Sequence, residues 1–188
     1  MEPFQPLQPL QTHTCEKGCC TYQVTPYHHH QNIPYYTTPH SKIKKAGCFV
    51  FDKQKNKILL VQSRGQMWGP PKGSIQEYET PLNCALREVK EETGIDIRED
   101  QFSGSMIIKS KALYYFIETD SDQWNVHPQN HIEDNDANGI GWFNVDCLEY
   151  FMKGELTINQ HCSILIKKIF EKDVFRPTYH KRLLPESE

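Results

Sequence analysis

The chain is 188 residues long, 37% hydrophobic and 24% charged, with a net charge of −3 and an isoelectric point near 6.3. This composition fits one globular domain with a sizeable core plus an extension, and excludes the globally basic footprint of a strong nucleic-acid binder. No run approaches about 18 apolar residues, the start MEPFQPLQPL lacks the pattern of a secretory signal, and seven scattered cysteines argue against a disulfide framework. A reducing, intracellular and cytoplasmic setting with no membrane partner is therefore expected.

In chain order, residues 1–41 come first as an N-terminal extension rich in proline, glutamine and tyrosine, and holding five of the nine histidines. They read as a flexible or loosely packed arm. Within it, Cys15, Cys19, Cys20 and the run His28, His29, His30 raise a zinc clip as an alternative, because thiolates and imidazoles are zinc's preferred ligands. The C-x3-C spacing is permissible for zinc, but it is not a recognised finger. Apolar runs bounded by turn residues begin after Lys44: AGCFVFD and KILLVQS read as strands joined by a hairpin over residues 52–57.

A helix is expected to start near Thr80. Thr80 can cap it, Pro81 suits its first position, and Gly94 stands where a left-handed C-cap residue is wanted. Leu82, Leu86, Val89 and Thr93 form its predicted inward row. Glu88, Glu91 and Glu92 then stand at i, i+3 and i+4 on the reacting face. Three carboxylates within one turn repel one another unless a cation joins them, and oxygen-only sites of this kind select hard divalent ions. Arg87 is in reach of Glu88 and of a looped-back Glu79, and its planar guanidinium can hold a carboxylate bidentately as a structural buttress.

Downstream, SMIIKS and ALYYFIET read as further strands, and residues 120–138 form a long loop rich in Asp, Asn and His. The run TINQHCSILIKKIFEKD reads as an amphipathic helix with Ile158, Cys162, Leu165, Ile166 and Ile169 inward, Lys167 outward and Lys168 on the flank. Helical periodicity is otherwise absent after the glutamate-bearing helix. The reading is an α/β/α sandwich around a mixed sheet, with residues 42–175 as the domain and 176–188 as a C-terminal tail.

Residues 73–95, GSIQEYETPLNCALREVKEETGI, fit the pattern G-x5-E-x7-R-E-U-x-E-E-x-G-U at every position, with U aliphatic. The chain thereby resembles the Nudix hydrolases over roughly residues 42–172. The resemblance implies hydrolysis of a diphosphate linkage in a nucleotide substrate with one to three Mg²⁺ or Mn²⁺ ions. It makes Gly73, Glu79, Arg87 and Gly94 structural and Glu88, Glu91 and Glu92 metal ligands. The backbone carbonyl of Lys72 or Gly73 adds a further oxygen. For the catalytic base it leaves two residues, Glu91 and Asp136. Asp136 lies six residues before Trp142, where two Nudix branches carry a Glu, so the Asp is a departure from the pattern.

The run WGPPKG leading into residues 73–95, the Nudix box, is similar to that of the mRNA-decapping and diadenosine tetraphosphate hydrolase branches. By that resemblance Lys72 meets a phosphate. Trp68 either contacts substrate or shapes a buried turn. Tyr115, in the Tyr114–Tyr115–Phe116 strand, either stacks on a base or packs in the core. Capped RNA, released as methylated guanosine diphosphate, is the favoured substrate, with Lys167 and Lys168 in the region where decapping enzymes grip the RNA backbone. Diadenosine tetraphosphate or another nucleoside polyphosphate is the alternative. A catalytically silent module that binds nucleotide or RNA is a third reading, which a damaged box would have favoured. Protein partners are left undefined.

Overall fold

A computed structural model of the chain describes residues 10–25, 42–63, 67–129, 137–152 and 157–172. A first hairpin, β1 (Gln11–Thr14) and β2 (Thr21–Val24), is followed by β3 (Lys45–Asp52) and β4 (Lys57–Ser63). The short strands β5 (Met67–Gly69) and β6 (Lys72–Ser74) then lead into helix α1 (Pro81–Thr93). Next come β7 (Gly104–Ile108), β8 (Ala112–Glu118), β9 (Gly139–Asn144), α2 (Val145–Met152), β10 (Thr157–Ile158) and α3 (Gln160–Phe170).

The strands form one sheet in the order β1-β2-β9-β4-β3-β8-β7, with β6 on β3 and β5 between β4 and β10. It is mixed: β3 and β8 are parallel, as are β5 and β10, and the remaining pairs are antiparallel. One side of β3 is shared. Phe51 and Asp52 pair with β4, while Lys45, Ala46 and Gly47 pair with β6, so the strand that carries Lys72 and Gly73 is inserted beside the centre of the sheet.

Period-two alternation assigns the two faces. Phe49, Phe51, Ile58 and Leu60 point to a core shared with Trp68, Phe143, Leu148, Leu165 and Ile166, which lies under α2 and α3. Cys48, Val50, Leu59 and Val61 point the other way, to Cys84, Ala85 and Val89 of α1. An α/β/α sandwich follows, as the sequence predicted. α3 has 11 residues, too few to be stable alone, and its buried Leu165 and Ile166 contribute about 1.5–3 kcal/mol each by burial.

The structure departs from the expectations in several places. Helix α2 was not foreseen, because eight residues show too little periodicity, and β9 was not, because two glycines dilute its apolar pattern. Helix α3 starts later than expected. Asn159 caps it by accepting from the Cys162 N–H at 2.9 Å, which leaves Ile158 in β10. The buried face of α1 is also rotated from the Leu82–Leu86 row. It consists of Cys84, Ala85, Val89, Glu92 and Thr93, while Leu82 and Leu86 are only half-buried. The small Cys84 and Ala85 let the helix approach the sheet closely, which turns Glu92 inward. Finally, residues 11–14 and 21–24 form a hairpin whose inner strand adds to the sheet, pairing Thr21–Val24 with Gly139–Trp142. His28, His29, His30 and the tail 176–188 lie outside the described residues.

The β3–β4 hairpin is locked by buried Asp52. Its carboxylate accepts from Lys55 N–H at 2.9 Å, Ser121 N–H at 2.9 Å and Ser121 Oγ at 2.8 Å. Burial alone would raise its pKa, but the bonds from Ser121 and Lys55 outweigh burial and hold the carboxyl below its ordinary 3.8. A depressed folded-state pKa stabilises the fold above the unfolded value and loses that contribution as pH falls through the folded one. Asp52→Ala is expected to lower unfolding free energy by about 1–3 kcal/mol at neutral pH, read from urea melts. The gap to wild type should narrow as pH is taken below 3.8.

Candidate active site

The helix that carries the acids is punctuated as its residues require. Thr80 Oγ1 accepts from the Asn83 N–H at 3.1 Å, Pro81 opens the first turn, and Gly94, at φ 76°, closes the last by donating to the Lys90 carbonyl at 2.9 Å. The caps fix the helix start and stop. They thereby fix where Glu88, Glu91 and Glu92 project relative to β6.

Arg87 organises the acids. Its Nε donates to Glu79 Oε1 at 2.8 Å and its Nη2 to Glu79 Oε2 at 3.0 Å, the bidentate buttress predicted from sequence. Nη2 also reaches the Ser74 carbonyl at 3.2 Å, which ties the end of β6 to the helix. Nη1 donates to Glu88 Oε1 at 2.7 Å and to Glu91 Oε2 at 2.8 Å. Burial on its own would raise the Glu79 pKa, but the fork from Arg87 and the Gln76 N–H, which donates at 2.9 Å, hold this carboxyl below its usual range. One guanidinium thus compensates three carboxylates at once.

Glu92 is held differently. It is 3% exposed, and its Oε2 accepts from the backbone N–H of Lys72 at 2.8 Å, so helix and strand are stitched together at the residue just before Gly73. Gly73 has a steric task there. A Cβ at this position would sit 1.9 Å from Glu88 Oε1, so a side chain would push the carboxylate out of the groove between β6 and α1. From buried Glu92 through half-buried Glu88 to Glu91, whose side chain is 37% exposed, the acids run from the interior to the rim. This oxygen-only set, graded in exposure and backed against a side-chain-free backbone position, fits a hard divalent ion such as Mg²⁺ or Mn²⁺.

The other predicted residues fall in three places. Lys72 lies in β6 beside the acids, with its amide engaged by Glu92. Tyr115 is on the α1 side of the sheet, half-buried and stacked on Phe102 at 4.8 Å. Burial raises its pKa, with Cys48 and Glu99 adding to the effect. Trp68 is on the opposite side: 1% exposed, it packs edge-on to Tyr22 at 5.3 Å and to Phe143 at 4.9 Å. Of the two sequence readings, this placement corresponds to the buried one. Asp136 lies outside the described residues, as do Arg64, Gly65 and Gln66.

His161 was missed. It stands in the first turn of α3, with Nδ1 3.0 Å from the hydroxyl of buried Tyr114. Burial, reinforced by the charges of Lys72, Lys109 and Lys45, lowers its pKa below 6.5. These cations come from β6, the β7–β8 turn and β3. No sequence spacing marks the grouping, because only the sheet brings the four residues together.

The NUDIX domain family model matches residues 42–160, more than half of the chain, so the chain belongs to the Nudix family of hydrolases. Among similar proteins, the 111R protein of Invertebrate iridescent virus 3, named as a hydrolase, is 32% identical over 144 residues, covering 73% of this chain and 80% of that protein. The mRNA-decapping protein g5R of African swine fever virus (isolate Pig/Kenya/KEN-50/1950) is 31% identical, covering 68% of this chain and 59% of that protein. The m7GpppN-mRNA hydrolase of Saccharomyces cerevisiae is 35% identical over 112 residues, covering 55% of this chain but only 11% of that much longer protein. The solved structure of DR0079 from Deinococcus radiodurans shares the fold, with TM-score 0.50, 17% identity, and coverage of 72% of this chain and 88% of that one.

Two substitutions probe the groove. Gly73→Ala should leave the fold intact but weaken Mn²⁺ binding by about 10–100-fold, measured by titration of free Mn²⁺ with electron paramagnetic resonance. Arg87→Lys keeps the charge but loses the fork, and should lower stability by about 1–3 kcal/mol in urea melts.

Proposed function

We propose that the chain is a divalent-metal-dependent pyrophosphohydrolase that acts on 5′-capped RNA and releases methylated guanosine diphosphate. The observation that carries the chemistry is the graded acid trio: Glu92 anchored on the Lys72 N–H, Glu88 seated against Gly73, and Glu91 at the rim. The preference for capped RNA rests on the decapping proteins among the relatives, from a virus and from yeast. The exposed Lys167 and Lys168 on the outer face of α3 are consistent with a local grip on an RNA backbone.

Hydrolysis of a phosphoric anhydride requires that negative charge on the phosphates be neutralised and that a water be oriented and relieved of a proton. Glu88, Glu91 and Glu92 would hold Mg²⁺ or Mn²⁺, which when bound would supply Lewis acidity for the phosphate oxygens and the leaving group. The protein's own groups do the rest. Lys72, with Lys45 and Lys109 around His161, receives the polyphosphate as point charges. Glu91 is the more open of the acids that Arg87 orients, and takes the proton of the attacking water as general base. Asp136 is the second candidate for that role. Tyr115, half-buried on the α1 side, offers a ring face to a base.

The test is product identification. Cap-labelled RNA and diadenosine tetraphosphate, incubated separately with the chain and Mg²⁺ or Mn²⁺, should show methylated guanosine diphosphate released from RNA far faster than the dinucleotide is cut. The opposite order would reverse the substrate assignment. Glu92→Gln keeps an acceptor for the Lys72 N–H, so the fold should persist while kcat drops by at least about 100-fold. Unchanged turnover in that variant would overturn the metal-site reading.

A further inference from the structure

Far from the box in sequence, a second set of metal-ligating atoms converges. The Sγ atoms of Cys15, Cys19, Cys20 and Cys147 all lie within 4.8 Å of one another. The individual separations are 3.5 Å for Cys15–Cys19, 3.8 Å for Cys19–Cys20 and 3.0 Å for Cys19–Cys147. Four sulfurs bound tetrahedrally to zinc at about 2.3 Å stand about 3.8 Å apart, so the cluster has nearly the dimensions of a filled site. All four cysteines are free thiols here.

The surrounding backbone is arranged as a ligand loop. Between β1 and β2, Cys15 N–H donates to the Cys20 carbonyl at 3.1 Å and Gly18 N–H to the Cys15 carbonyl at 2.8 Å, with Gly18 at φ 68°. The loop closes on itself and turns three sulfurs toward α2. Cys147 meets them from the first turn of that helix. The Asn144 N–H donates to Cys20 Sγ at 3.1 Å, an outer hydrogen bond of the kind that steadies a metal-bound sulfur. Cys20 and Cys147 are buried, at 0% and 4% exposure, on the face of the sheet opposite α1.

We propose that Cys15, Cys19, Cys20 and Cys147 form a closed, structural Zn²⁺ site that staples the N-terminal hairpin to the start of α2. Four sulfur ligands fill a tetrahedral ion, so the site leaves no position for a substrate or an activated water. Binding releases the thiol protons to solvent and closes a link between segments 128 residues apart in sequence. The ligand set is not the one expected from residues 1–41 alone. The fourth sulfur comes from α2, which the sequence reading did not associate with the arm.

Metal analysis of the full chain, purified under reducing conditions without added zinc, tests this directly. One zinc per chain is expected by elemental mass spectrometry. After exchange with Co²⁺, the spectrum should carry thiolate-to-cobalt charge transfer and tetrahedral ligand-field bands, which the Glu88–Glu92 carboxylates cannot produce. Cys147→Ser and the half-exposed Cys15→Ser should each lose most of the zinc. A strong chelator should lower the wild-type melting temperature and leave that of Cys147→Ser unchanged. Wild-type chain with all seven thiols titratable and no zinc would overturn the proposal. So would a Cys19–Cys147 disulfide in peptide maps, a visible iron spectrum, or equal zinc in wild type and variants. None of these readouts uses hydrolysis, so the outcome is independent of the substrate assignment.

Discussion

The arrangement of acids rests on Arg87. Glu79, Glu88 and Glu91 crowd into one groove, and without a resident cation their mutual repulsion would splay the loop before the helix away from the helix itself. A guanidinium satisfies this demand where an ammonium would not. It presents donors in a fixed plane, so one edge holds Glu79 in two bonds while the remaining hydrogens reach Glu88, Glu91 and the Ser74 carbonyl. The same contact that offsets repulsion therefore also sets the position of each carboxylate.

This constraint divides the molecule by face. On the α1 side, β6 is inserted beside β3 so that the Lys72 amide and the bare backbone of Gly73 face the acids. That side gives up apolar burial for chemistry, since Glu92 occupies a place on the helix where a hydrophobic residue would otherwise sit. The opposite side carries more of the apolar packing: Phe49, Leu60, Trp68, Phe143 and Leu165 form its core, and α2 and α3 cover it. The cysteine cluster belongs to this second face. A staple there would hold the edge hairpin without touching the groove.

The box helix was readable nearly in full. Its caps, its acids and the Arg87–Glu79 pair depend on spacings within 23 residues, and β3, β4, β7 and β8 announced themselves as apolar runs. What escaped was either short or dependent on distant partners. β5, β6 and β10 have two or three residues each and exist because neighbouring strands complete their hydrogen bonds. Helix α2 is eight residues long and takes its place from the core beneath it.

The sequence by itself determined the family, the boundaries of α1 and the identity of the acids, because these follow from local periodicity and capping, in which each residue acts on neighbours a turn away. Tertiary structure alone decided which way α1 rolls to bury Glu92, and that Trp68 lies in the core away from the carboxylates. It alone brought three lysines around His161 and carried Cys147 to the cysteines of the arm. Those outcomes depend on how close two elements can pack and on which strands pair, and neither quantity is encoded within a single segment.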